Sequence, residues 1–151
     1  MPLDVHTDEV ESEVLVDLRL PPDPRSPSRA RRALSLLEGR FDEEILFKLR
    51  LLLSELVTNS VRHARLQETE RIVVRVMCEP GALRAEVLDA GHRVSFPAMM
   101  ASHTGWEYQR TRGSEWPGGW GLSMVEALAD SWGVVHNDGT TVWFELGLRA
   151  A

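Results

Sequence analysis

Between Asp42 and Ala64 aliphatic residues recur at helical spacing, and this segment narrows the possible folds more than any other. On a helical wheel Ile45, Leu49, Leu52, Leu53, Leu56 and Val57 make one apolar stripe. Exposing such a stripe costs roughly 25 cal/mol for every Å² of apolar surface, so a second layer must cover it. Asp42 stands where a helix cap belongs. The edge of the stripe is polar: Glu55, Asn59, Arg62 and His63 lie along it. For this segment alone, a solvated flank with Glu55 touching Asn59 or Arg62 is the favoured reading. The sharper reading is one wall of a groove between helix and sheet. There a carboxylate and an amide suit a hydrated Mg²⁺, which prefers oxygen ligands, and Arg62 and His63 suit phosphate oxygens.

The covering layer is legible as strands. "EVLVDLRL" alternates, with Val14, Val16, Leu18 and Leu20 on one face. "PPDPRSP" interrupts the chain, and Ser26 or Ser28 is expected to cap a first helix running to about Leu37, ended by Gly39. "RIVVRVMC" and "LRAEVLDA" flank a Pro-Gly turn and predict a hairpin. "GLSMVEALAD" restores helical spacing, with Leu122, Val125, Leu128 and Ala129 on one side. "WGVVHNDGTTVWFELGL" predicts two more strands around a tight turn. The expected fold class is α+β: a two-layer α/β sandwich, its mixed and mostly antiparallel sheet covered by helices on one face. Residues 1–12 read as a flexible tail and 13–149 as a single domain. From about 91 to 118 no period survives among Gly, Pro, Ser, His and Trp, and that stretch reads as a lid.

Composition removes several function classes. The 151 residues carry a net charge of -6, which argues against direct nucleic-acid binding. The arginines of "RSPSRARR" form a basic cluster whose ordinary reading is a solvated helix face and whose sharper reading is a partner-docking patch. Cys78 is the single cysteine, which excludes a disulfide framework within the chain and cysteine-based metal sites and leaves it the role of a small buried hydrophobe. No apolar run approaches ~18 residues, so no membrane-spanning segment is expected. The acidic opening "MPLDVHTDEVESE" lacks a signal-peptide core, and a cytoplasmic protein is expected. His92, His103 and His136 lack metal-ligand spacing and are expected to be solvated. Trp132 and Trp143 are expected in the core, whereas Trp106, Trp116 and Trp120 fall in or beside the lid.

Two further motifs accompany the helix flank. "EVLDAGH" puts Asp89 at a strand end with Gly91 two residues on, an arrangement in which a carboxylate accepts an exocyclic amine and a glycine admits a flat ring. Alone, Asp-x-Gly is an ordinary turn. "PGGWGLSMVEALAD" sets Gly118, Gly119 and Gly121 before a helix, where backbone N–H groups suit phosphate. It is neither a P-loop nor a dinucleotide fingerprint.

The order of the three motifs is more specific than any of them. It resembles the GHKL (histidine-kinase-like) ATPase superfamily, and within it the bacterial anti-sigma-factor serine/threonine kinases. "ELVTNSVRHA" is similar to the N box, "VLDAGH" to the first glycine box and "GGWGLSMVEALADSWG" to the second. The resemblance spans roughly residues 14–148 and implies a Bergerat-type ATP-binding fold. It implies ATP and Mg²⁺ as cofactors, Glu55 as general base and Asn59 as the Mg²⁺ ligand. Asp89 would bind the adenine amine, Gly91 would shape its pocket, and Arg62, Gly119, Gly121 and Leu122 would contact the nucleotide. The implied activity is phosphorylation of a partner anti-sigma antagonist, with a sigma factor as a further partner and a homodimer as the assembly. The alternative is a non-catalytic or weakly nucleotide-binding module that sequesters a sigma factor or another regulator. Arg93 departs from the pattern, standing where a second glycine or a proline usually follows. The N box also reads Asn-Ser where Asn-Ala is commoner, a small difference.

Overall fold

The long helix finds its second layer in an antiparallel sheet. The structure of the protein, a computed structural model, describes residues 11–91, 106–111, 122–136 and 138–149. In chain order the elements are β1 (Glu13–Leu20), α1 (Ser26–Ala33), a 3₁₀ turn (Leu34–Leu37), α2 (Glu43–His63), β2 (Ile72–Glu79), β3 (Ala82–Asp89), β4 (Trp106–Thr111), α3 (Ser123–Leu128), β5 (Ser131–His136) and β6 (Thr140–Gly147). The sheet order is β1-β2-β3-β6-β5-β4. Every pairing among the described residues is antiparallel, so the mixed sheet expected from sequence is here antiparallel throughout.

The layers meet as the periodicities demand. Leu49, Leu52, Leu53, Leu56 and Val57 of α2 are fully buried, each worth roughly 1.5–3 kcal/mol over exposure. They pack on Val74 and Val76 of β2, Leu83, Ala85 and Val87 of β3, and Val142, Phe144 and Leu146 of β6. Ala30 and Leu34 close one side of this core, and Leu122, Val125 and Ala129 close another. The opposite face of the sheet carries charge. Arg84 Nη1 pairs with Glu145 at 3.0 Å and Arg84 Nε with Glu86 at 3.1 Å. No described helix is long and apolar enough to cross a membrane.

Several expectations need correction. Val14 is 57% exposed, because a register shift between Val14 and Val16 rotates the strand and leaves only Val16 and Leu20 fully inside. Neither Ser26 nor Ser28 caps α1: their hydroxyls donate to the carbonyls of Pro21 and Arg25. Arg25 holds the cap position with no side-chain cap bond, and Asp23 closes the turn before it, its Oδ1 accepting from the Arg25 N–H at 2.8 Å. The helix ends at Ala33 and tightens into the 3₁₀ turn before Gly39, whose φ of 81° belongs to glycine. Asp42 holds the cap position of α2 through its backbone carbonyl, with no side-chain bond. Cys78 is half-buried rather than buried, beside the core at the open end of β2.

Trp143 is buried but on the sheet face away from α2, beneath the Arg84 guanidinium 4.1 Å above its ring. Trp132 does enter the core. Within the stretch that shows no period, Trp106–Thr111 is the edge strand β4 on β5. Residues 92–105 and 112–121, with His92, Arg93, His103, Trp116 and Trp120, lie outside the described residues.

Candidate functional site

The most unusual side chain on the inner face of the sheet is Asp89. Alternation along β3 sends Leu83, Ala85 and Val87 into the core, and Asp89 is the next residue in that row. It is 1% exposed. Burying a carboxylate costs several kcal/mol unless hydrogen bonds replace the lost water. Two are present. The Ser60 hydroxyl of α2 donates to Oδ2 at 2.7 Å, and the Gly91 N–H donates to Oδ1 at 3.0 Å. The carboxylate therefore ties the last inward position of β3 to the C-terminal end of α2.

Backbone packing around it leaves no slack. A Cβ on Gly91 would sit 1.9 Å from the Ala64 carbonyl oxygen, at the end of α2. Glycine was expected here to admit a ligand ring; the described contact that demands it is the helix terminus. A Cβ on Gly139 would stand 2.3 Å from the Asp89 carbonyl oxygen. Strand register sets Thr140 opposite Asp89 and His136 opposite Thr140, so the three share a row across β3, β6 and β5. The Thr140 hydroxyl donates to the Gly91 carbonyl at 3.4 Å, and Nδ1 of His136 is 3.0 Å from the same hydroxyl. His136 is thus buried and bonded, not solvated as its spacing implied. Ser60, Thr140 and His136 belong to this cluster and escaped the sequence reading. The Asn-Ser of the N box was the available signal for Ser60; for Thr140 and His136 only strand register supplies one.

The other predicted residues distribute around this cluster. Glu55 and Asn59 are half-buried, one turn apart on α2, and Asn59 directly precedes Ser60. Arg62 is exposed, and with Pro27, Ser28, Arg31 and Thr58 it lines a groove of about 300 Å³ between α1 and α2. Leu122 is 2% exposed and packs in the core, while its carbonyl accepts the first α3 hydrogen bond from Glu126. Gly119 and Gly121 lie outside the described residues, as does the side chain of His63.

The donor set sorts by chemistry. Among the described residues no group of three His, Cys, Asp or Glu could hold a metal ion. A cation held by this chain alone is therefore not supported by the described donors. An Mg²⁺ sharing one amide oxygen of the chain with phosphate oxygens fits them, since Mg²⁺ keeps waters and takes few protein ligands. The fixed Asp89 carboxylate fits an amine-bearing ring.

A family model for the histidine kinase-like ATPase domain matches residues 20–146. The chain belongs to the histidine kinase-like ATPase family, with an α+β fold of antiparallel sheet and helices. Among curated proteins it is similar to the serine-protein kinase RsbW of Listeria monocytogenes, 30% identical over 132 residues, covering 84% of this chain and 83% of the relative. The Listeria innocua protein of that name matches with the same identity and coverage. Among solved structures it is similar to the RsbU and RsbW domains of Rv1364c from Mycobacterium tuberculosis. The TM-score is 0.62 at 24% identity, over 88% of this chain and 31% of that one, a likeness of fold.

Proposed function

We propose that this protein binds ATP with Mg²⁺ and transfers a phosphoryl group to a serine or threonine of a partner anti-sigma antagonist. The observation that carries the reading is Asp89, a 1%-exposed carboxylate with both oxygens held by named donors, at the end of β3 beside the polar flank of α2. Its similarity to proteins named serine-protein kinase supports the acceptor class.

When bound, the Mg²⁺-nucleotide supplies the phosphoryl group and neutralises its charge. The chain's own residues do the positioning. Asp89 accepts from the adenine amine and sets the base. Asn59 offers its amide oxygen to the metal, one turn along from Glu55. Glu55, half-buried and at the edge of the apolar stripe, accepts the proton of the acceptor hydroxyl. Gly119 and Gly121 lend backbone N–H groups to the phosphates. A sigma factor is the further partner, and the protein works in the cytoplasm as a homodimer.

Two substitutions test this. Glu55→Ala is expected to keep ATP affinity within a few-fold while phosphotransfer falls by ~10²–10⁴, the worth of a positioned base. Asn59→Ala is expected to weaken Mg²⁺-dependent nucleotide binding itself. Melting curves of both variants exclude damage to α2. A parent protein that binds Mg²⁺-ATP without transfer to its acceptor, and a Glu55→Ala variant that still captures its partner, would leave the sequestering module in place of the kinase.

A further inference from the structure

Ser60 occupies a position that packing alone would give to an aliphatic residue. It follows Leu56 and Val57 on the buried side of α2 and is fully buried itself. A helix hydroxyl has a local option, the carbonyl one turn back, and the half-buried Thr58 takes it by donating to the Ser54 carbonyl at 2.8 Å. Ser60 instead directs its hydroxyl across the layer boundary to Asp89 Oδ2 at 2.7 Å. The partner is 29 residues away in sequence, so this bond exists only in the folded molecule.

We infer that Ser60 is a positioning residue that holds the Asp89 carboxylate in one plane and thereby sets the preference of this site for adenine over guanine. The inference rests on the reading of Asp89 as the base-binding group. The terminal torsion of an aspartate is soft, and a single hydrogen bond leaves its plane free to turn. Donors on different oxygens remove that freedom: Gly91 N–H fixes Oδ1 and the Ser60 hydroxyl fixes Oδ2. A carboxylate held this way presents acceptor lone pairs in a set direction. Adenine meets it with an amine, a donor. Guanine brings a carbonyl oxygen to the same place, acceptor against acceptor. The sharper the orientation of the carboxylate, the larger the difference between the two bases, because a buried polar group left unpaired costs more than a paired one returns.

The test is a double-mutant cycle on the full chain, read by calorimetric titration with Mg²⁺-ATP and Mg²⁺-GTP. Ser60→Ala is expected to lower ATP affinity roughly tenfold or more, the worth of a hydrogen bond to a charged group. GTP affinity is expected to change by less than about twofold, so the ATP/GTP ratio narrows. In an Asp89→Asn background, Ser60→Ala is expected to change ATP affinity by no more than about twofold, since the residue acts through that carboxylate. Ser60→Cys keeps the shape with a weak donor and is expected to fall between parent and Ser60→Ala, which guards against a poorly folded alanine variant. If Asp89→Asn weakens ATP but Ser60→Ala does not, the Ser60 inference is overturned and the base-binding reading survives. Equal losses for ATP and GTP, or undiminished loss in the Asp89→Asn background, would assign Ser60 to general packing and overturn it too. A Ser60→Cys ratio equal to the parent's would remove the hydrogen bond from the explanation. Unchanged ATP binding in Asp89→Asn, or no nucleotide binding by the parent, would remove the underlying reading and this inference with it.

Discussion

Gly91→Ala is the perturbation whose size follows most directly from the geometry. The added methyl would lie 1.9 Å from the Ala64 carbonyl oxygen and 2.6 Å from the Ala64 carbonyl carbon and Cβ. None of these is the tip of a flexible side chain. The Ala64 backbone is anchored, its N–H bonded to the Ser60 carbonyl at 3.2 Å. Gly91 is anchored as well, by its N–H on Asp89 and its carbonyl on Thr140. Relief therefore means pulling the turn off the end of α2 and stretching the bond from the Gly91 N–H to the carboxylate. Overpacking costs about 1–3 kcal/mol, and a weakened hydrogen bond to a charged group adds up to about 1.5–3 kcal/mol. The expected loss is roughly 3–5 kcal/mol, a fall of roughly 6–20 °C in Tm for a chain of this size. Urea and thermal melts followed by circular dichroism measure it. Because the nearest atom is a backbone oxygen, Ala64→Gly should restore little of the loss. A Gly91→Ala protein melting within about 2 °C of the parent, or one fully rescued by Ala64→Gly, would refute the packing argument.

The remaining predictions concern the outer sheet face and the entry to α1. Arg84→Ala removes the cation over Trp143 and leaves Glu86 and Glu145 without that partner. It is expected to cost about 1–2 kcal/mol, less at high salt, and to red-shift tryptophan emission; an unchanged spectrum would contradict the stacked geometry. At Asp23, hydrogen bonds from the Arg25 side chain and backbone hold the carboxyl well below the usual carboxylate range. A depressed folded pKa contributes stability above the unfolded value and loses it as pH falls. The melting difference between parent and Asp23→Asn should therefore stay constant from about pH 8 to 5 and shrink below about pH 4. A difference that grows on acidification would count against it.

Much of the fold was legible because it rests on local periods. The α2 stripe, the Pro-Gly hairpin with Gly81 at φ 79°, and the β5–β6 pair all stand where spacing predicts them. The errors share a cause. A strand read by alternation alone cannot show the register shift that turns Val14 outward. Ser26 looks like a cap because serine is a good one, yet the Pro21 carbonyl nearby claims its hydroxyl at 2.6 Å. β4 has no apolar period of its own and exists as an edge added to β5.

The candidate site divides along the same line. Glu55, Asn59 and Asp89 are visible in one dimension because each is a polar residue interrupting an apolar pattern, and an interruption needs no partner to be noticed. What Asp89 bonds to is not visible. Ser60 in the helix, Thr140 and His136 across two strands, and the Ala64 carbonyl beneath Gly91 are brought to one place only when α2 lies across the ends of β3 and β6. Sequence by itself determined the helix, the strands and the polar interruptions, since those follow from backbone periods of 3.6 and 2 acting within a few residues. Tertiary structure alone decided which hydroxyl holds the buried carboxylate and why Gly91 has no room for a side chain. Hydrogen bonds and close packing are contacts of a few ångströms between groups tens of residues apart, and no local period encodes them.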